Sequence, residues 1–441
     1  MPPAATPIGL TEIISGIRGI VRGQRELDRF HSELKDHFGI KHCFLVSSGK
    51  AAFALTLLAL KEMFPDREEV LIPAFTCYSV PSSVVRAGLR IRLCDLRLDS
   101  LDFDFAQLST LLSRPSARRE TESGRARSMN GMMSEPRRIS EDPGDSLNRA
   151  LAVVPTHLFG LPSDVPRLRT LIKDSGVTIV EDAAQGMGEA FQGRKLGTFG
   201  DVSFFSLARG KPFSTVEGGV ILTDRDDIAE VLNRFVGLLP HYGFLSQLKV
   251  IFKAAAMMVF IHPRLFWLPK SLPFLKLGET LFEPHFAMLK MSPFQAGLAA
   301  NWRRRLETLQ DIRRTRVDHW IATLDASGGQ GLYFSGARSR GLLRFPVRVR
   351  DRRKRESLLR ESARMGMGIM PVYPTSIDAI PELRLEFSEE TYPVAASCAD
   401  ELVTLPTHGY LTEDDVSALS ELISQALGST SESKVSFAQQ P

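Results

Sequence analysis

Residues 177–224 read VTIVEDAAQGMGEAFQGRKLGTFGDVSFFSLARGKPFSTVEGGVILTD. Three short apolar runs stand in this stretch: VTIVED, DVSFFSL and GGVILTD. Each is rich in β-branched or aromatic residues and bounded by glycine or charge, which predicts strands. The runs are continuous, as expected of strands covered on both faces. Working outward, the same texture alternates with helical patterns. HCFLV precedes the helical AAFALTLLALKEMF; EEVLIPA precedes SVPSSVVRAG; LRIRLCDL and RALAVVPTHLFG are strand-like, and VPRLRTLIKDSG is helical. This order predicts an α/β fold with a mostly parallel sheet. Ligands of such sheets lie at the carboxyl ends of the strands. The polar groups Ser47–Gly49, Pro73–Tyr78, Asp182–Gln185 and Ser206–Lys211 fall at those ends.

The chain has 441 residues, room for a large domain and a smaller one. A hydrophobic fraction of 43% supplies a core, and a net charge of +4 is too small to point to nucleic acid. Basic residues are clustered, as Arg303-Arg304-Arg305, Arg313-Arg314 and Arg352-Arg353-Lys354-Arg355. They read as solvated helix faces, or as contacts to an anionic ligand or membrane surface. Cys43, Cys77, Cys94 and Cys398 form no CxxC pair and no metal-ligand spacing. MPPAATPIGL lacks the charged and apolar regions of a signal peptide, so reduced thiols and a cytoplasmic location are expected.

Two stretches interrupt the alternation. Residues 113–149 are rich in Arg, Ser, Glu, Gly and Pro, and are expected to be a disordered surface insertion. Residues 244–291 mix apolar groups with Lys249, Lys253, Arg264, Lys270 and Lys276, and prolines keep the apolar runs too short to span a bilayer. Two readings stand here: a helical subdomain or dimer interface, or a patch lying on a membrane surface. From Phe294 the pattern predicts one long helix, FQAGLAANWRRRLETLQDIRRTRVDHWIATL, and then a smaller α+β unit. The expected division is a large domain over 1–300, a small one over 301–429 and a polar tail over 430–441.

Three sites carry chemistry. Asp182 ends a buried strand, where a carboxylate can cap a helix, bind a metal or pair with a cationic ring. Gln185 is a poor metal ligand and a good neutral donor. Gly49 stands at a strand-to-helix junction, which makes either a plain helix start or an anion site of backbone N–H groups. Lys211 follows Ser206 by five residues. A lysine there is a surface charge, or an amine that forms a Schiff base with an aldehyde. Together the three sites suit a phosphorylated pyridinium aldehyde.

The segments SSGKAAFALTLLAL, VLIPAFTCYSVPSSVVRAG, VVPTHLFGLPSDV, IVEDAAQGMGEAFQGRKLGTFGDVSFFSLARGK and VEGGVILTD, in this order, are similar to the DegT/DnrJ/EryC1/StrS family. Its members are sugar aminotransferases that depend on pyridoxal 5′-phosphate and have the aspartate aminotransferase-type fold (fold-type I). The resemblance implies that Lys211 holds the cofactor and moves a proton. It implies that Asp182 pairs with the pyridine nitrogen and that Gln185 lies near the ring hydroxyl. Ser206 would hold the phosphate with the turn at Gly49, Lys50 and Ala51, and Cys77 or Tyr78 would cover the ring. His157 is either structural or a contact to cofactor or substrate. The family's partners follow: an amino donor, expected to be glutamate, a keto-sugar nucleotide, and a second subunit. Relatives that dehydrate a sugar carry histidine in place of the lysine, so Lys211 favours transamination.

Three departures stand out. Lys50 replaces a threonine, Met288 and Lys290 replace the Asn and Arg of a cross-subunit phosphate clamp, and Val372-Tyr373-Pro374 replaces His-Tyr-Pro. The rival readings are a pyridoxal phosphate enzyme acting on a lipid-linked or non-sugar ketone at a membrane, and a non-catalytic regulatory protein of the same fold.

Overall fold

The computed structural model describes residues 1–2, 4–113, 149–173, 175–270 and 280–427. All but the two end residues of the 113–149 stretch, and the tail from 430, lie outside them. Helices α1 (Leu10–Arg22) and α2 (Gln24–Phe38) lead into β1 (His42–Val46), α3 (Gly49–Met63), β2 (Glu69–Pro73), α4 (Ser79–Arg86), β3 (Arg90–Cys94) and α5 (Phe105–Ser113). After the undescribed stretch come β4 (Ala150–Val153), α6 (Val165–Leu171) and β5 (Thr178–Asp182). A small hairpin, β6 (Ala190–Phe191) and β7 (Arg194–Lys195), precedes β8 (Val202–Ser206) and β9 (Gly219–Thr223).

These strands form a seven-stranded sheet in the order β1-β9-β8-β5-β4-β2-β3. β9 alone runs against its neighbours β1 and β8; the pairs from β8 through β5, β4 and β2 to β3 are parallel. The mostly parallel sheet read from the apolar runs is therefore present. β2, β4, β5, β8 and β9 are buried along their whole length, which is why they carry no alternating polar face.

Next come α7 (Asp226–Leu238), α8 (Phe244–Phe260), α9 (Pro263–Lys270), α10 (Pro293–Leu298) and α11 (Trp302–Ala326). The single helix expected from Phe294 is corrected to α10 and α11, broken at Asn301, whose φ is 54°. Tertiary packing explains the break. At Gly297 a Cβ would lie 2.5 Å from the Ser15 carbonyl oxygen, so α10 is pressed onto α1 and cannot share the axis of α11.

The chain closes with β10 (Phe345–Arg348), α12 (Arg352–Met365), β11 (Met370–Pro371), α13 (Pro393–Glu401), β12 (Leu402–Leu405) and α14 (Glu413–Leu427). β10, β12 and β11 make an antiparallel sheet. One apolar core runs from the large sheet through Val317, Trp320 and Leu324 of α11 to Val347, Val403 and Ile423. Asp95, just after β3, accepts the Val394 and Ala395 N–H groups at 2.9 and 2.8 Å, which pins the start of α13 to the large sheet. Ile377 N–H reaches the Ala74 carbonyl at 2.8 Å, so the 375–377 loop is carried to the end of β2.

Candidate active site

The carboxyl ends of β1, β2, β5 and β8 meet at one place. There Ser48 caps α3, its Oγ accepting the Ala51 N–H at 3.1 Å. The N–H groups of Gly49 and Lys50, in the first turn, have no intrahelical acceptor. Gly49 is packed so closely on Ser206 that a Cβ would come within 2.7 Å of the serine Cβ. At Gly219 a Cβ would lie 2.1 Å from the Ser48 carbonyl oxygen, so β9 returns directly beneath the same turn. The result is a cradle of backbone N–H groups and one hydroxyl, a chemistry suited to an anion. The Lys50 side chain turns elsewhere, to Glu283 at 2.8 Å and over the Phe286 ring at 4.8 Å. Its ammonium is thus neither free in solvent nor spare for a phosphate; Lys50 offers the cradle its backbone.

Glu181 and Asp182 are adjacent on β5 and point to opposite faces. Glu181 is fully buried and saturated. Its carboxylate takes His157 Nε2 at 2.7 Å, Phe199 N–H at 2.7 Å, Gly200 N–H at 2.8 Å and the Gly197 N–H. Burial alone would raise its pKa, but His157 and these N–H groups outweigh burial and hold it below the usual value. His157 Nδ1 accepts the Ser163 N–H at 3.0 Å, which leaves the ring proton on Nε2 for Glu181. Both ring nitrogens of His157 are therefore spent inside the scaffold.

Asp182 is the opposite case. It is 5% exposed, and among the described residues its carboxylate receives one hydrogen bond, from the Ala184 N–H at 3.0 Å. Burial raises its pKa, opposed by that N–H, by Lys211 and by His157. A buried carboxylate with so little compensation is suited to a cationic partner.

Lys211 lies within electrostatic reach of Asp182 on a loop that three elements fasten. Leu207 N–H meets the Gly218 carbonyl at 2.8 Å and Thr215 N–H meets the Leu207 carbonyl at 2.9 Å. Thr6 Oγ1 donates to the Lys211 carbonyl, and Arg313 reaches the Pro212 carbonyl at 2.9 Å and Thr6 Oγ1 at 3.3 Å. Arg313 is buried, which lowers its pKa to about 10. The expectation that Arg313 belongs to a solvated face is thus corrected. Its donors are needed by otherwise unpaired loop carbonyls. Arg209 of the same loop is exposed.

Gln185 accepts the Phe159 N–H at 3.2 Å and donates to the Tyr373 hydroxyl at 3.2 Å. Tyr373 comes from the departing Val-Tyr-Pro motif. Burial pushes its phenol well above the ordinary range, with Cys77, Arg344 and Asp182 close enough to act on it. Of the two candidates for covering a ring, Tyr78 has its hydroxyl committed to Thr375, at 2.6 Å from Oγ1 and 2.9 Å from the N–H. Cys77 accepts from Ser79 Oγ at 3.1 Å and lies in electrostatic range of Tyr373 and Arg344. Arg344 is the residue that sequence reasoning missed. It stands one position before β10, where Leu343 N–H is held by the Phe159 carbonyl at 2.9 Å. No carboxylate among the described residues is within ion-pair distance of it. An arginine inside the apolar LLRFPV run was the available signal.

Met288 and Lys290 lie along the end of β1 of the same chain. Ser47 N–H reaches the Leu289 carbonyl at 2.9 Å, Leu289 N–H reaches Ser47 Oγ at 3.1 Å, and Val46 bridges Lys290.

The profile of the DegT/DnrJ/EryC1/StrS aminotransferase family matches residues 11–118 and 146–424. The chain belongs to this family. The gap in the match falls inside the 113–149 stretch. GDP-perosamine synthase of Caulobacter vibrioides is 23% identical over 424 residues, covering 91% of this chain and 90% of the relative. The Vibrio cholerae GDP-perosamine synthase is 27% identical over 204 residues, which spans only 46% of either protein. Among solved structures, Helicobacter pylori PseC, an aminotransferase involved in the biosynthesis of pseudoaminic acid, superposes with a TM-score of 0.69 at 16% identity, over 96% of this chain and 98% of that one. That likeness speaks to the fold, which is the fold-type I architecture.

Pyridoxal phosphate is the cofactor of this family member, and the residues present fit it. The cradle that a Cβ at Gly49 would fill suits its phosphate, and Asp182 suits its ring nitrogen. When bound, it supplies an aldehyde that exchanges amino groups and a ring that withdraws electrons.

Proposed function

We propose that this aminotransferase moves an amino group from an amino acid, glutamate by preference, to the keto group of a nucleotide-linked sugar. The reading rests on one arrangement: the clamped Lys211 loop facing the under-compensated carboxylate of Asp182, with the Gly49–Ser206 cradle alongside. The activities named for the relatives support the substrate class. In this reading the Lys211 amine would hold the cofactor and move a proton at the substrate carbon. Asp182 keeps the ring nitrogen protonated. Cys77 would lie against the ring, and Gln185 and Tyr373 would meet its hydroxyl edge. Arg344, with no carboxylate within ion-pair distance among the described residues, would take the carboxylate of the amino donor. The product serves surface polysaccharide or natural-product assembly. Four free cysteines suit a cytoplasmic enzyme, and a homodimer follows the resemblance.

The half-reaction tests this. Holoenzyme mixed with glutamate should lose its visible absorbance band, and 4-keto sugar nucleotides added to the pyridoxamine form should restore it. No spectral change with any amino donor would leave only a binding or regulatory role. Arg344→Ala should raise the KM for glutamate by roughly tenfold or more while leaving that for the sugar nucleotide near wild type. Equal changes in both would remove Arg344 from the donor site. Asp182→Asn should bind cofactor yet turn over on the order of 10²-fold more slowly, because an amide cannot hold the ring proton by charge. An unaltered kcat would show that Asp182 is not opposite the nitrogen.

A further inference from the structure

α8 is apolar on two opposite faces. Val250, Ala254 and Met257 are buried against Ile13, Phe294 and Leu298. On the far side Phe244, Leu245 and Phe252 are 77%, 72% and 73% exposed, with Leu248 and Val259 beside them. α1 repeats the pattern. It buries Ile13, Gly16 and Gly19 and presents Leu10, Ile14, Ile17 and Val21, spaced to share one face. The two helices pack on each other, so their outward faces are neighbours. Scattered exposed apolar residues need no partner, whereas a contiguous set does.

The flank of this face is cationic. Arg18 follows Ile14 by one helical turn, Arg22 follows Arg18 by another, and both open into a cleft of about 460 Å³. Arg29, Trp302, Arg303 and Arg304 also line it. Glu26 and Glu33 face the same cleft and are taken up by Arg22 and Arg29. α11 begins there without a side-chain cap, and Arg303 and Arg304 stand in its first turn, where the helix dipole opposes cations. Trp302 is 1% exposed, its ring packed against Phe30, His37 and Phe213, so it walls the cleft. Arg303 donates to the Glu33 carbonyl, so the exposed Arg18 and Arg304 and the uncapped helix start are what this flank offers an anion. α8 itself contains Lys249 and Lys253 and no acidic residue, Lys253 being paired with Glu217, and the one acid of α1, Glu12, is held by the Gly9 N–H and Arg305.

We propose that α1 and α8 seat the protein on an anionic lipid bilayer, the apolar side chains entering the acyl boundary and the arginine cleft taking lipid phosphate. No helix among the described residues is long and apolar enough to cross a membrane, so the contact lies in the interface plane. A second copy is the weaker occupant, because a two-fold interface sets this basic flank against itself. The surface is independent of the reaction assigned above.

Vesicle flotation tests it with the full chain. Wild type should float with vesicles of phosphatidylcholine mixed with phosphatidylglycerol, sediment with phosphatidylcholine alone, and be released by high salt. Leu245→Asp with Phe252→Asp should abolish flotation while the glutamate half-reaction and the mass in solution stay unchanged. Arg18→Gln with Arg304→Gln should weaken binding by roughly ten- to thirtyfold, in line with the loss of two basic residues near the surface. Absence of wild-type flotation would overturn the proposal. So would stabilisation by inorganic phosphate without flotation, or an Asp variant that loses oligomeric mass instead of lipid binding.

Discussion

Lys211→Ala should reduce turnover by more than about 10³-fold, because under the proposed function it removes both the covalent anchor and the proton carrier. The fold should persist. The loop is fixed by backbone bonds to Leu207, Thr6 and Arg313, none of which uses the lysine side chain. Circular dichroism and thermal unfolding should therefore match wild type. Borohydride reduction of wild-type holoenzyme should leave a pyridoxyl group on the peptide containing Lys211, and the variant should carry none. A label on another lysine, or turnover within tenfold of wild type, would sink the assignment.

Glu181→Ala should have the largest effect on stability, about 3–5 kcal/mol by denaturant unfolding. The carboxylate serves four donors in a fully buried site, and its removal strands His157 and the 197–200 turn together. Glu181→Gln should lose less, since an amide oxygen still accepts. The acid limb follows from the sign of the shift. The folded pKa of Glu181 lies below its unfolded value, so its contribution is present above the ordinary carboxylate range and is lost as pH falls through the depressed folded value. Wild type should lose stability on acidification through that window, and Glu181→Gln should lose less across it. Parallel pH profiles for the two proteins would remove Glu181 as the cause.

These two residues also show what was legible beforehand. The adjacent pair Glu181-Asp182 was visible as carboxylates ending a buried strand, and β alternation sends them to opposite faces. Which one is saturated depends on donors at 157, 197, 199 and 200, brought together only by folding. The basic runs show the reverse difficulty. Arg313 and Arg314 are neighbours in sequence, yet Arg313 is 1% exposed and bonds the Lys211 loop, while Arg314 pairs with Asp311 at the surface. Charge patterning along one helix cannot tell which side of it faces the core.

The sheet and its ligand-binding edge were determined by the sequence alone. Continuous apolar strands with turn residues between them leave little choice but a covered parallel sheet, and its carboxyl ends collect Gly49, Asp182, Ser206 and Lys211. Local pattern was sufficient there to place these residues, because each position follows from its own strand end; the roles proposed for them come from the family resemblance. The tertiary structure decided what depends on meeting across the chain. It brought Thr6 to Lys211, Tyr373 to Gln185, Arg344 to the neighbourhood of Cys77, and Glu283 to Lys50. It also turned the second apolar face of α8 outward, because the core beside α1 and α10 has room for only one. Such pairings depend on packing between segments distant in the chain, and no local periodicity encodes them.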